Sequence, residues 1–194
     1  MPDILTVEQV ARYVGSELAG ADTDLLTSAL LAAERAIGRH CQRKFVVAGV
    51  TATARLYTPT RADVLRIHDC TTVTVVTNDG TTVAAGDRQL EPVNSLSWSG
   101  DARPYEQIRL LSGSWVRHSS GEATVSVTAT WGWSAIPPEV TEATKILVKD
   151  LVAARDTRFG IAGFTDFAGV RVRENPQVVE LLRDLRRVES WGIA

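Results

Sequence analysis

The stretch VSVTATWGWSAIPPEVTEATKILVKDLVAAR, residues 125–155, predicts a strand, a turn and a long helix in direct succession. Val125 to Trp131 alternate apolar and polar side chains, which is typical of a strand with one buried face. Pro137-Pro138 predicts an extended residue followed by a helix start, because a proline at the first helical position gives up only an N–H group that has no helical partner. The chain is therefore predicted to change from β to α structure here.

The helix that begins at Pro138 carries apolar residues beyond its main stripe. At about 100° per residue, the stripe consists of Val140, Ala143, Leu147, Leu151 and Ala154. The opposite, charged face consists of Glu142, Lys145 and Lys149. Ile146 and Val152 lie outside both, and a helix of this kind often packs against two neighbours. We predict Ile146 and Val152 as subunit-interface candidates, the alternative being contact with other helices of the same chain.

Helical patterns occupy both ends of the chain. Thr6 and Gln9 form a predicted capping box for a short helix over residues 6–14. A longer helix runs to about residue 43, and its predicted core stripe is Leu26, Leu30, Ala33, Ile37 and Cys41. Asn175-Pro176 is predicted to cap a last helix that extends to about residue 189.

The middle of the chain is rich in Val, Thr, Gly and Asp. Strands are predicted over residues 45–57, 64–67, 73–77, 81–84, 89–91, 108–111 and 123–131. Asn78-Asp79-Gly80 between two Thr/Val runs predicts a hairpin. The prediction is a single α+β domain, residues 1–194. A small α-helical bundle comes from both chain ends (6–43 and 138–189), with a β insertion of six to seven short strands (about 45–131).

Composition excludes several classes of protein. The chain has 194 residues, of which 44% are apolar and 23% charged, which is ordinary globular composition. The net charge of −2 is not that of a protein built to bind nucleic acid overall. No apolar run approaches the roughly 20 residues of a membrane span, and no signal peptide is evident. Two cysteines are too few for a disulfide scaffold, so folding in the cytoplasm is expected.

No group of residues predicts a metal, a cofactor or catalysis. His40-Cys41 and His68-Asp69-Cys70 resemble fragments of a zinc site. Adjacent helical residues point about 100° apart, however, so we interpret both cysteines as buried thiols beside ordinary histidines. His118 is followed by two serines, but no orienting acid is identifiable.

Three further features have a structural and a functional interpretation. Glu139 and Glu142 are interpreted as partners of the helix dipole rather than paired catalytic carboxylates. Trp98 and Trp115, in loop contexts, leave sugar binding open. The basic face formed by Arg183, Arg186 and Arg187 is interpreted as a solvated surface more readily than as a phosphate site.

The end of the chain is apolar without a clear period. Residues 156–174 are rich in Gly and Phe, and loops of this length are usually functional or disordered. The tail carries Trp191 and Ile193, and no other part of the sequence obviously covers them.

Several stretches together resemble the head-to-tail connector (adaptor) family of tailed bacteriophages, a component of the siphophage neck. They are LTVEQVARYVG near the N-terminus, AERAIGRHCQRKF at the end of the long helix, YEQIRLL, and VTATWGWSAIPPEVTEATKILVKDLVA, in the order of that family. The resemblance implies a non-enzymatic virion protein that assembles as a ring, usually of twelve subunits, beneath the portal. The ring extends the DNA channel and receives the stopper or tail-completion protein. This chain departs from short members in its larger β module.

The resemblance also implies partner contacts. The C-terminal segment would reach the portal, so we assign as candidate partner anchors Phe159, Phe164, Phe167, Trp191 and Ile193. DNA would pass through the lumen without sequence-specific binding, past a neutral or acidic wall. The alternatives are another neck component (a stopper or tail-completion protein), and a carbohydrate-binding module or small hydrolase built on the β part.

Overall fold

The computed structural model describes residues 4–14, 23–96, 100–158 and 175–187. The chain divides into two compact units. The helical unit contains Met1–Phe45 and Ile136–Ala194, and the β unit is Val46–Ala135. The α+β class predicted from the sequence is confirmed.

The described part of the helical unit contains four helices. They are α1 (Val7–Val14), α2 (Thr23–Cys41), α3 (Pro138–Arg158) and α4 (Pro176–Leu182), and a 3-10 turn follows at Arg183–Leu185. Helix α3 is central, because it contacts each of the other three helices.

The predicted helix starts are confirmed by their hydrogen bonds. The Thr6 N–H donates to Gln9 Oε1 at 2.8 Å, and the Gln9 N–H donates to Thr6 Oγ1 at 3.3 Å. The side chain of Asn175 accepts from the N–H groups of Gln177 and Val178, and Pro176 follows it. These bonds satisfy donors that have no partner inside the helix.

Helix α2 buries the predicted stripe and ends in a left-handed turn. All five stripe residues are buried, from Leu26 to Cys41. Gln42 has φ 55°, and the Arg43 N–H donates to the Gly38 carbonyl at 3.1 Å. This is the Schellman arrangement of a helix C-terminus. A Cβ on Gly38 would lie 3.0 Å from the Arg43 carbonyl oxygen, so this turn passes close to the glycine.

The buried face of α3 differs from the predicted stripe. It includes Thr144, Val148 and Val152, which are completely buried. The side chain of Ala154 lies outside the described residues. The Thr144 hydroxyl donates to the Val140 carbonyl at 2.7 Å, so this polar side chain is buried with its donor satisfied. Val152, predicted as a subunit-interface candidate, is buried within the chain. The other candidate, Ile146, is half-buried and keeps exposed surface for such a contact.

The described part of the β unit is a six-stranded antiparallel sheet. The strands are β1 (Thr53–Tyr57), β2 (Val64–Asn78), β3 (Thr81–Thr82), β4 (Arg88–Glu91), β5 (Tyr105–Leu110) and β6 (Val125–Trp131). Their order is β1-β6-β2-β5-β4, and β3 pairs with the end of β2. The predicted hairpin is confirmed, because Asp79 and Gly80 both have positive φ between β2 and β3.

Three of the predicted strands differ from the observed ones. Residues 64–67 and 73–77 belong to one strand of 15 residues, β2. Its register shifts between Arg66 and Cys70 and again before Val75. These irregularities interrupt the apolar alternation and made the strand look like two. The predicted strand over 45–57 is mostly irregular, with a single bridge at Val47 before β1.

The entrance and exit of the β unit are joined at Gly132. The Trp133 N–H donates to the Val46 carbonyl and the Ala48 N–H to the Trp133 carbonyl, both at 2.8 Å. Gly132 has φ 124°, and a Cβ there would lie 2.5 Å from the Val46 carbonyl oxygen. Only glycine fits this position, because the adopted φ and the available space both exclude a side chain.

Replacing Gly132 by Ala is expected to lower the free energy of unfolding by roughly 3 kcal/mol, because the methyl group would push the 46–48 segment away. Urea unfolding followed by tryptophan fluorescence measures the change. Gly113→Ala is the control, since Gly113 also has positive φ but nothing lies within 4 Å of the point that a Cβ would occupy. That variant should lose about 1 kcal/mol; equal losses would show that crowding at Gly132 is unimportant.

Candidate assembly surfaces

The sheet carries an uncharged outer face on strands β1, β6 and β2. In β6 the residues Val125, Val127, Ala129 and Trp131 are buried. Those between them, with their register partners, lie on the opposite face. We name this set the threonine face: Ala54, Leu56, Thr72, Val75, Thr77, Ser126, Thr128 and Thr130. The face has no ionisable side chain in a chain that is 23% charged.

Two hydroxyls of the threonine face, those of Thr72 and Thr130, are hydrogen-bonded within the sheet. The Thr130 hydroxyl is hydrogen-bonded to those of Thr71 at 2.7 Å and Thr72 at 2.5 Å. Leu56 and Val75 are 70% and 45% exposed on the same face. A contiguous exposed surface of this composition marks a contact site more often than a solvated one.

The outer face of β4 and β5 in the same sheet is strongly polar. Arg109 contacts Glu91 through Nε and Asp63 through Nη1, both at 2.6 Å. The Gln107 amide donates to the second oxygen of Glu91 at 2.8 Å. The hydrogen bond with Glu91, followed by its charge and that of Asp63, raises the pKa of the Arg109 guanidinium. The lack of charge on the threonine face is therefore local and not a property of the whole sheet.

All five residues assigned from the sequence as partner anchors belong to segments that the structure does not describe. Phe159, Phe164, Phe167, Trp191 and Ile193 lie outside the described residues. Leu56 and Val75 were not predicted from the sequence as contact residues. The run TTVTVV, residues 71–76, was the available signal, because a strand with an uncharged solvent face is unusual.

The two cysteine–histidine pairs have structural roles. Cys41 and Cys70 are free and buried. His68 Nδ1 lies 2.8 Å from the Tyr57 hydroxyl. The buried Asp69 accepts a hydrogen bond from the Trp133 indole N–H at 3.2 Å. Within the described ranges no group of three or more His, Cys, Asp and Glu residues could hold a metal ion.

His118 does have acidic neighbours, contrary to the sequence analysis. Its Nε2 lies 3.6 Å from Asp79 and its Nδ1 lies 3.6 Å from Glu122. Glu122 could have been found from its i,i+4 spacing, but Asp79 comes from the distant β2–β3 turn. Each ring nitrogen of His118 therefore faces a carboxylate in the described structure.

Of the two tryptophans left open for sugar binding, Trp115 is buried in the structure. Trp115 is 2% exposed, and its indole N–H donates to the Asp63 carbonyl at 3.1 Å. Trp131 and Trp133 are also buried, and Trp98 lies outside the described residues.

Glu142, considered as a catalytic carboxylate, instead pairs with Lys145 at 3.2 Å. In the described portion of the chain no helix is long and apolar enough to span a membrane.

Solved structures share this fold over nearly the whole chain. A chain in the neck of an empty gene transfer agent (GTA) particle, computed with C6 symmetry, has a TM-score of 0.59 and 23% identity, and the match covers 97% of this chain and 92% of that one. This chain has the fold of a neck protein. A chain in the C12-symmetric neck of the native particle has a TM-score of 0.50 and 21% identity, covering 98% and 96%. A chain in the native GTA virion gives 0.54 and 21%, covering 97% and 92%.

These likenesses confirm the resemblance seen in the sequence at the level of the fold. No protein-family model matches the chain, and no curated protein sequence matches it. The shared fold includes the β unit, since the matches cover at least 97% of the residues.

Neither thiol of the native protein should react readily with a disulfide reagent. Burial raises the pKa of Cys41 to about 11, so little thiolate is present at pH 8. Ellman's reagent should modify both cysteines only after denaturation. Because the pKa of Cys41 is higher in the folded protein than in the unfolded chain, the buried neutral thiol favours the folded state. This contribution to the free energy of unfolding is complete below pH 9 and is lost as the pH rises to about 11. Rapid reaction of the native protein would show that the thiols are accessible.

Proposed function

We propose that this protein is a structural head-to-tail connector of a phage-like particle. In this role it forms a ring beneath the portal, extends the DNA channel and docks the stopper or tail. The observation that carries the proposal is the likeness to GTA neck chains over 97% of the sequence. Those particles were computed with C6 and C12 symmetry, which supports a homo-oligomeric ring for this chain.

The threonine face supports assembly as the basis of function. A stable subunit contact needs surface that loses water at low cost, and charged side chains are depleted at the centre of such contacts. Leu56 and Val75 provide apolar area, and the hydroxyls of Thr72 and Thr130 on the same face already have partners within the sheet. We propose this face as a contact with a neighbouring subunit or neck protein, in addition to Ile146 on α3.

The proposed partners follow from this role. They are the portal, the stopper or tail-completion protein, and further copies of the chain. DNA would pass through the ring without sequence-specific binding. The protein would assemble in the host cytoplasm and remain in the neck of the virion.

The direct test is to mix the purified protein with the portal ring of its particle and to image the product by cryo-electron microscopy. The expected result is a second ring of density beneath the portal. The free protein is not required to form rings, because contact with a partner can itself order a chain for assembly. Failure to bind the portal, with binding to the tail end instead, would indicate another neck component.

Charge introduced into the threonine face should prevent ring formation without unfolding the chain. Leu56→Lys with Val75→Lys places two charges where a contact would bury them, which costs several kcal/mol per contact. Occupancy of the ring on the portal is measured by imaging. Leu111→Lys is the matched control, since Leu111 is 57% exposed in the same unit but is not part of the face. Equal loss in the control, or normal rings from the double variant, would eliminate this face.

Deletion of residues 190–194 should weaken binding to the portal while leaving the fold unchanged. The deletion removes Trp191 and Ile193, and aromatic anchors dominate interface energies. Affinity is measured by sedimentation with portal rings, and the fold by circular dichroism. Unchanged affinity would remove the tail from the candidate anchors and leave Phe159, Phe164 and Phe167 to be tested.

A further inference from the structure

Two basic segments that are distant in sequence meet at one end of the helical unit. The Arg187 N–H donates to the Cys41 carbonyl at 3.0 Å, which joins the chain after α4 to the end of α2. Residues 35–45 contain three arginines and one lysine and no acidic residue. Residues 183–187 add three arginines and one acid, Asp184. The arginine face of residues 183–187 was interpreted from the sequence as a solvated surface. In the structure it is one part of a larger basic cluster that also includes the end of α2.

The charges of the two segments act at the same place. Burial raises the pKa of the Cys41 thiol, but the positive charges of Arg43 and Arg186 oppose that rise. Both guanidinium groups are thus close enough to influence one sulfur atom. We name the resulting set the basic joint: Arg39, Arg43, Lys44, Arg186 and Arg187.

Two members of the basic joint project into solvent without local compensation. Arg39 and Arg186 are exposed, and neither forms an ion pair with another described residue. Arg183, by contrast, contacts Glu180 at 3.0 Å and Asp184 at 3.6 Å. Cations at the ends of α2 and α4 favour the helix dipoles, but that effect is confined to the last turn and requires only one or two charges.

The surroundings of the basic joint indicate the kind of partner. Tyr13 is the only large hydrophobic side chain that is exposed in the described part of the helical unit. Tight protein interfaces depend on buried aromatic and apolar anchors, and no exposed large apolar side chain belongs to the described residues 35–45 and 183–187 that form the joint. A cluster of arginines and a lysine is instead suited to phosphate groups, which arginine contacts through paired N–H donors.

We propose that the basic joint binds the phosphodiester backbone of nucleic acid without reading its base sequence. This inference goes beyond the proposed connector role, since it assigns a fixed DNA contact to a chain whose overall charge is −2. It also separates two kinds of surface. A channel wall along which DNA slides should be neutral or acidic, whereas the basic joint would hold DNA in place.

The test measures binding of the full-length protein to a short fluorescent DNA duplex by anisotropy, between roughly 50 and 200 mM salt. Each phosphate contact contributes about 0.9 to the slope of log affinity against log salt concentration. Arg39→Gln with Arg186→Gln should therefore reduce that slope by about 2 and weaken binding about tenfold or more at the lowest salt. A second duplex of unrelated sequence should bind with the same affinity.

Arg183→Gln is the matched control, because its charge is already compensated by two carboxylates. It should leave the affinity and the slope unchanged. Three results would overturn the proposal: no salt-dependent binding, equal weakening in the control, or displacement of the DNA by poly-glutamate at equal charge concentration. The last would identify an acidic protein as the partner. The experiment uses the isolated chain, so its outcome is independent of ring formation on the portal.

Discussion

The β unit depends on a backbone crossing that leaves no room for a side chain. At Gly132 the segment 46–48 passes so close that a Cβ would overlap the Val46 carbonyl. The two hydrogen bonds made by Trp133 hold the crossing together, and its buried indole donates to Asp69 in the middle of β2. This crossing thus ties the edge of the unit to its longest strand and gives a buried carboxylate the partner it needs.

The distribution of charge distinguishes the described surfaces of this protein from one another. Beside β4 and β5, Arg109 forms an ion-pair network with Glu91 and Asp63. The threonine face on β1, β6 and β2 has no charged side chain. In the helical unit, cations gather where α2 and α4 end. Surfaces sorted in this way suit a protein that contacts several different neighbours, because each kind of surface selects a different partner.

Local features of the fold could be predicted from the sequence, and features created by pairing could not. The Thr6 capping box, the α2 stripe and the turn at Asp79 depend on residues within four positions of one another, so their patterns survive in one dimension. The register shifts within β2 interrupt its apolar alternation, so the sequence pattern did not show that residues 64–78 form one strand. The threonine face required the register between three strands, and the basic joint required a contact between residues 41 and 187. The basic joint has no signature in a single segment, and the run TTVTVV shows only the β2 part of the threonine face.

The meeting of residues 46–48 with Trp133 has a consequence for how such proteins diversify. An insertion whose two ends are hydrogen-bonded to each other imposes no new spacing on the helices that flank it. The sheet can therefore lengthen, shorten or be exchanged as a cassette while the helical scaffold is preserved. A lineage could in this way alter what its particle attaches to without rebuilding the part of the chain that carries the helices.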